Sequence, residues 1–175
     1  DIKEATKGAA GGRIVSPEYY FKEFVTWSGI SSGEPSMRIS DHAIFGSGAK
    51  ALLSNDGLYN YLAFLNSKVA LSILKFLSPT LNYEAGHIGN IPVCFKISER
   101  VENITLDCIK ISRGDWDSFE TSWDFQHHPL LRKVPTIAEA FDQWQTECID
   151  RFNQLKANEE ELNRIFIDIY GLQDE

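Results

Sequence analysis

TIAEAFDQWQTECIDRFNQLKANEEELNRIFIDIYG, residues 136–171, is the stretch that decides most about the fold. Thr136 followed three positions on by Glu139 is a capping box, in which each side chain satisfies the other residue's exposed backbone N–H. Behind it Phe141, Cys148, Leu155, Leu162 and Ile169 return every seven residues. Trp144, Phe152, Ile165 and Phe166 adjoin them, while Glu and Asp fill the opposite face. Gly171 supplies the stop. The spacing predicts a long amphipathic helix, on the order of 50 Å if unbroken, or two helices bent near Asn158. Its apolar stripe has to be covered by the body of the chain or by a second copy.

Working back from that helix, the sequence turns mixed. Leu62, Leu65, Val69, Ile73 and Phe76 recur at three- and four-residue steps, which predicts one helix over Leu58–Leu77. Pro79 ends it, because the residue before a proline is pushed out of the helical region. Ile91–Phe95 is a short apolar run that suits an edge strand given its proline, and Ile104–Ile111 suits a second strand. Between Arg13 and Ala51 short aromatic and β-branched runs alternate with turn clusters such as Ser31-Ser32-Gly33-Glu34-Pro35, which predicts two or three strands. Gly8-Ala9-Ala10-Gly11-Gly12 has little to pack, so residues 1–12 read as a flexible lead segment. The expected division is therefore that lead, a mixed body over 13–133 and an acidic helical spacer over 134–175, an α+β chain overall.

At 175 residues the chain can bury roughly 70 % of the surface its unfolded form exposes. A hydrophobic fraction of 43 % and a charged fraction of 24 % fit a globular domain, and no run approaches the roughly eighteen apolar residues of a membrane span. The chain begins at Asp1 without a basic-then-apolar leader, so an internal piece and a cytoplasmic setting are expected. Cys94, Cys108 and Cys148 are widely separated and read as reduced thiols. The net charge of −8 argues against nucleic acid at first sight, since DNA affinity rests on Lys and Arg. Residues 134–175, however, hold ten acidic groups against three basic ones, which leaves the rest close to neutral and able to carry a local basic face.

Three motifs invite chemistry and are better read as structure. Phe45-Gly46-Ser47-Gly48 is one position away from a glycine loop and lacks a clean strand before it, which favours a turn. Asp115-Trp116-Asp117 with Glu120 and Asp124 gathers carboxylates, but a solvated acidic loop pinned by Trp116, Phe119 and Trp123 accounts for them more simply than a divalent metal. His127-His128-Pro129 reads as a turn. The aromatic residues around Lys22, from Tyr19 to Trp27, mix rings with a basic group as a nucleic-acid face would, although core packing explains most of them equally well.

Certain segments are more specific. Tyr20-Phe21-Lys22-Glu23, Thr26-Trp27-Ser28, Ile30-Ser31-Ser32, Arg38 and Leu65-Asn66-Ser67-Lys68-Val69-Ala70 resemble the post-catalytic region of the BREX phage-defence, PglX-like adenine-specific DNA methyltransferases. The run Ser78–Val93 is similar to that family's and, more loosely, to the close of a target-recognition domain in restriction specificity subunits. The strongest matches are the runs Asp115–Phe125 and Asn158–Leu172.

The resemblance implies an enzyme as parent, with S-adenosylmethionine as its cofactor and an Asn-Pro-Pro-Tyr motif gripping the flipped adenine. That motif is not in this sequence, so no catalytic, cofactor or metal residue carries over. What the resemblance leaves to this segment is target recognition and spacing. The expected partners are double-stranded DNA, the parent's catalytic domain and other defence-system proteins, with no membrane. Expected DNA contacts are Lys22, Trp27, Ser28, Arg38, Lys68, Asn82 and Arg113, polar groups near loops that could reach phosphates or base edges. The rival reading is a protein–protein docking module without DNA contact, favoured by the net charge and the apolar helical stripe.

Overall fold

Val25 and Trp27 alternate with Thr26 along β1 (Phe24–Ser28) and turn inward, which makes β1 the middle strand of a three-stranded antiparallel sheet. A short 3-10 turn, Pro17–Tyr19, precedes it. On one side β2 (Arg38–Ser40) pairs with it, Thr26 opposite Arg38; on the other β3 (Ala49–Leu52) pairs, Thr26 opposite Ala51. The computed structural model describes residues 16–174, so the expected lead segment 1–12 and the start near Arg13 lie outside the described residues. The expectation of two or three strands before Ala51 is met by these three.

Phe24 packs edge-on against Phe45 on one face of the sheet, while Val25, Trp27 and Met37 join the main core on the other. The Trp27 indole N–H donates to the Tyr83 carbonyl at 2.8 Å, so the largest core side chain has its polar atom satisfied.

The helix expected over Leu58–Leu77 is two helices, α1 (Leu58–Leu65) and α2 (Lys68–Leu77). The break sits at Asn66-Ser67, where the Ser67 hydroxyl caps α2 by accepting the Ala70 N–H. Apolar periodicity runs through the break because both helices face the same core. Gly57 opens α1 with φ +68, and a Cβ there would stand 2.7 Å from Ile97, so the position suits glycine on two counts.

A short helix α3 (Ala85–Gly89) follows. Ile91–Phe95 is not a strand. It runs between helices, with Ile91 buried and the Phe95 ring among Tyr61, Phe64 and Phe166. Nor is Ile104–Ile111 a strand; it is the middle of α4 (Glu99–Trp116). Ser98 caps that helix, Glu99 and Glu102 complement its N-terminal dipole, and Val101, Ile104, Thr105, Cys108 and Ile109 form its inner stripe.

The last element, α5 (Ile137–Tyr170), is a single unbroken helix ended by Gly171 in the left-handed conformation, as the spacing predicts. Its cap differs in one detail. The Thr136 hydroxyl accepts the Glu139 N–H at 3.2 Å, but the Glu139 carboxylate receives the Thr136 hydroxyl rather than its backbone N–H.

α5 lies antiparallel to α4, as the pairs Arg100–Glu161 at one end and Arg151–Asp115 at the other require. Leu162 and Phe166 enter the same core as Trp27 and Leu62, so the C-terminal half of α5 is covered by the body of the chain. The other half projects past the end of α4, by about 20 Å at 1.5 Å per residue, and is accompanied by the connection 117–136.

Candidate nucleic-acid interface

Asn66 has no place in an apolar helical stripe, and its side chain shows why it is there. Its Oδ1 accepts the Met37 N–H at 2.9 Å, and its Nδ2 donates to the Met37 carbonyl at 3.0 Å and to Leu62 O at 3.1 Å. One amide thus fastens the approach to β2 onto the end of α1. Asn163 does the same from α5, where its Oδ1 accepts the Lys68 backbone N–H at 2.8 Å.

These two asparagines frame an open groove of about 780 Å³ between β2, the α1–α2 junction, α4 and α5. Its lining includes Arg38, Arg113, Trp116, Ser112, Asn66 and Asn163, with Glu159 as its one carboxylate. Neither arginine has a carboxylate within 4.0 Å among the described residues; the same holds for Lys68 at the start of α2. By contrast the other described arginines, Arg100, Arg132, Arg151 and Arg164, are all paired with Glu or Asp, as are Lys50, Lys75 and Lys156, while Lys22, Lys96, Lys110 and Lys133 are without such a partner among the described residues but lie outside the groove lining. Burial raises the pKa of the Cys108 thiol above its usual range, so this groove-lining sulfur stays protonated at neutral pH and is a poor nucleophile.

The residues expected to touch DNA separate into two groups. Arg38 and Arg113 line the same groove, with Lys68 beside it. Lys22 lies over the Tyr19 ring at 5.2 Å, Ser28 ends β1 opposite Ala49, and exposed Asn82 forms an isolated bridge with Ile30; none of these three lines the groove. Trp27 requires a correction. At 2 % exposure, with its N–H committed to Tyr83, it is a core residue with no face to offer a ligand.

Asn66, Asn163 and Trp116 are parts of the site that no motif in the sequence marks. The signal available for the first was a polar pair, Asn66-Ser67, interrupting an apolar period.

Trp116, Phe119 and Trp123 also differ from their expected role as anchors. Trp116 belongs to the last turn of α4, and all three rings are exposed, Trp123 completely. Polar contacts hold this connection instead: the Ser122 hydroxyl donates to Asp117 Oδ1 at 2.6 Å and the Ser118 hydroxyl to Gly114 O at 2.9 Å. His127-His128-Pro129 is a turn, closed by the Leu131 N–H on the His128 carbonyl. Phe45–Gly48 is a strand-to-strand turn as well, with Gly46 N–H on Ala49 O at 3.1 Å. A glycine loop for the methionine end of S-adenosylmethionine would lead from strand to helix, so these residues do not fit that cofactor. No helix among the described residues is long and apolar enough to cross a membrane.

No family model matches the chain. It is 48 % identical over 177 residues to the adenine-specific methyltransferase PglX of Lacticaseibacillus casei (strain Zhang), a match that covers 94 % of this chain and 15 % of that protein. It is 31 % identical over 163 residues to the adenine-specific methyltransferase BrxX of Escherichia coli O9:H4 (strain HS), covering 90 % of this chain and 13 % of that one. The chain thus spans about a seventh of the length of the relatives it matches. The resemblance carried by runs such as Asp115–Phe125 and Asn158–Leu172 is borne out: the chain belongs, as a segment, with the PglX-like adenine-specific methyltransferases.

Proposed function

We propose that this segment holds and positions duplex DNA for an S-adenosylmethionine-dependent adenine methyltransferase of a phage-defence system, and that the cofactor and the base chemistry belong to the rest of that protein. The observation that supports this reading is the pair of arginines without an ion-pair partner, Arg38 and Arg113, in one groove of a chain whose net charge is −8. In a protein with 25 acidic residues, leaving two guanidinium groups without an ion-pair partner in a groove lined by one carboxylate, Glu159, favours an anionic ligand from outside. Arg38 and Arg113 would take backbone phosphates, and Lys68 would add a third contact at the rim.

Because few phosphates are engaged, binding by this chain alone is weak and strongly dependent on salt. Arg38→Gln and Arg113→Gln should each lower the slope of log affinity against log salt concentration by about 1. Both side chains are exposed, so the circular dichroism of the variants should match that of the parent chain. An unchanged slope in the double variant would remove the groove from the DNA interface. A second reading, docking onto protein, is favoured by a different part of the molecule.

A further inference from the structure

At the far end of the α4–α5 pair the surface chemistry reverses. Ile137, Phe141, Cys148, Phe152 and Leu155 follow one another at steps of four, seven, four and three, a single stripe along α5. Ile137, Phe141 and Phe152 are exposed. The exposed rings of Trp116 and Phe119 stand beside Phe152, and the connection that follows them carries the exposed ring of Trp123. An open groove of about 570 Å³ joins the two sets, with Ile111, Trp116, Phe119, Phe152 and Leu155 on its walls. Concentrated exposed aromatic surface of this kind marks the centres of protein interfaces.

The segments that build this tip are acidic, and their carboxylates at Glu120, Asp124, Glu139, Asp142, Glu147 and Asp150 are exposed. Residues 115–155 carry eight carboxylates against three basic side chains. Two of those three are committed inside the chain, Arg132 to Glu147 at 2.7 Å and Arg151 to Asp115 at 3.6 Å. Such a surface repels phosphate, which excludes DNA as the occupant. It also sets like charge against like in any pairing of two copies through this face. The charge calls for a partner whose apolar centre is ringed by lysine and arginine. The matched stretch is 15 % of the L. casei relative, so most of such a polypeptide lies outside it, tethered and therefore at high effective concentration.

We propose that this tip is a docking surface for an apolar, basic-rimmed surface on the remainder of the methyltransferase polypeptide. The proposal rests on the family membership of the chain and not on its binding DNA.

The test is hydroxyl-radical footprinting of the 175-residue chain alone and of the full-length L. casei relative in which this chain replaces the matching stretch. Trp123 and Phe152 should be labelled readily in the chain alone and protected severalfold in the full-length protein. Buried Trp27 reports folding in the same spectra. If the hybrid leaves Trp27 open, the native relative and its own matching segment are compared instead, at the positions aligned with the tip. Glu120→Lys with Asp124→Lys and Asp150→Lys should reopen the tip in the full-length protein without exposing Trp27.

Equal labelling in both contexts overturns the proposal. So does concentration-dependent protection in the chain alone, which would mean a second copy, and so does protection that ignores the charge reversals. Arg38→Gln and Arg113→Gln should leave tip protection unchanged, and Trp123→Ser should leave the salt slope of DNA binding unchanged. Failure of one reading therefore does not imitate failure of the other.

Discussion

Phe152 and Phe166 stand two heptads apart on one face of one helix, and the first is 66 % exposed while the second is 1 % exposed. Around Phe166 the chain provides Phe64 at 5.4 Å and Phe95 at 5.6 Å between ring centroids, with α1, α2 and α4 closing over it. Around Phe152 it provides one neighbouring helix end and a connection held by serine hydroxyls. The same apolar repeat therefore does two jobs. Its C-terminal turns are part of the core, and its N-terminal turns present a surface. The groove with Arg38 and Arg113 lies between them, and Trp116 and Leu155 line both it and the tip groove.

The contrast predicts a large difference in stability. Phe166→Ala should cost about 3–5 kcal/mol, a typical loss for an aromatic ring in a closed core. Phe152→Ala should fall within about 0.5 kcal/mol of the parent, as surface substitutions do. Urea denaturation of both variants measures this directly. Equal losses would mean that the tip is as much a part of the core as the other end.

Next comes Asn66→Ala, which strips three hydrogen bonds from the junction of β2 and α1 and leaves the Met37 amide and carbonyl to find other partners. A loss of about 1–3 kcal/mol is expected from unsatisfied buried polar groups. Since Arg38 follows directly on Met37, DNA affinity should drop along with stability. Full affinity in a destabilised Asn66→Ala chain would separate the groove's order from its function.

The long helix was legible because its signals are local: a capping threonine, a seven-residue repeat and a terminal glycine all act within a few turns. The break at Asn66-Ser67 was hidden, because the two helices share one core and keep one period across it. Ile104–Ile111 reads as a strand from its isoleucines and threonine, yet tertiary contacts with α1 and α5 override that propensity; Ser98 with Glu99 and Glu102 was the helix signal. Ile91–Phe95 has strand-like residues, but its chain passes between helices and its apolar side chains fill gaps in the core. The site was half legible. Arg38 and Arg113 could be named as cations, but their meeting in one groove depends on how α4 packs between α1 and α5 and on two asparagine side chains that bond backbone far away in sequence. A heptad repeat, likewise, gives the apolar face and not the length over which that face is covered.

A smaller, local effect is expected at the start of α5. Thr136→Ala removes the hydroxyl that satisfies the Glu139 N–H, a change worth about 1 kcal/mol. Because the first turns of α5 lie beyond α4, the loss should appear as faster amide exchange over residues 137–141, with the exchange of 158–170 unchanged. Faster exchange along the whole helix would show that the two halves unfold together and would weaken the distinction between them.

The smallest effect concerns how the connection is held to the tip. Arg132 places two guanidinium nitrogens on the Glu147 carboxylate, at 2.7 and 3.1 Å, and its Nε–H donates to Pro129 O at 2.6 Å. The adjacent His128 ring meets Trp144 edge to face at 5.3 Å, so the ion pair and the ring contact fasten the same turn. The hydrogen bond from Arg132 holds the Glu147 carboxyl below the usual carboxylate range, against the opposing effect of its partial desolvation. A depressed folded-state pKa means that the pair stabilises the folded form above the ordinary glutamate pKa of about 4.3 and stops doing so as pH falls through the lower folded value. Glu147 is exposed and Arg132 half-buried, and solvent screening at the carboxylate keeps the contribution small. Lowering the pH should therefore loosen the 128–132 turn, read by Trp144 fluorescence, before the core of Phe166 unfolds. In Glu147→Gln the turn should already be loosened at neutral pH, and the corresponding step should vanish from the acid titration. Contributions from groups common to both chains cancel in the difference. An identical acid profile in the two chains would show that the ring contact alone holds the turn, and that the tip keeps its shape without its only bidentate ion pair among the described residues.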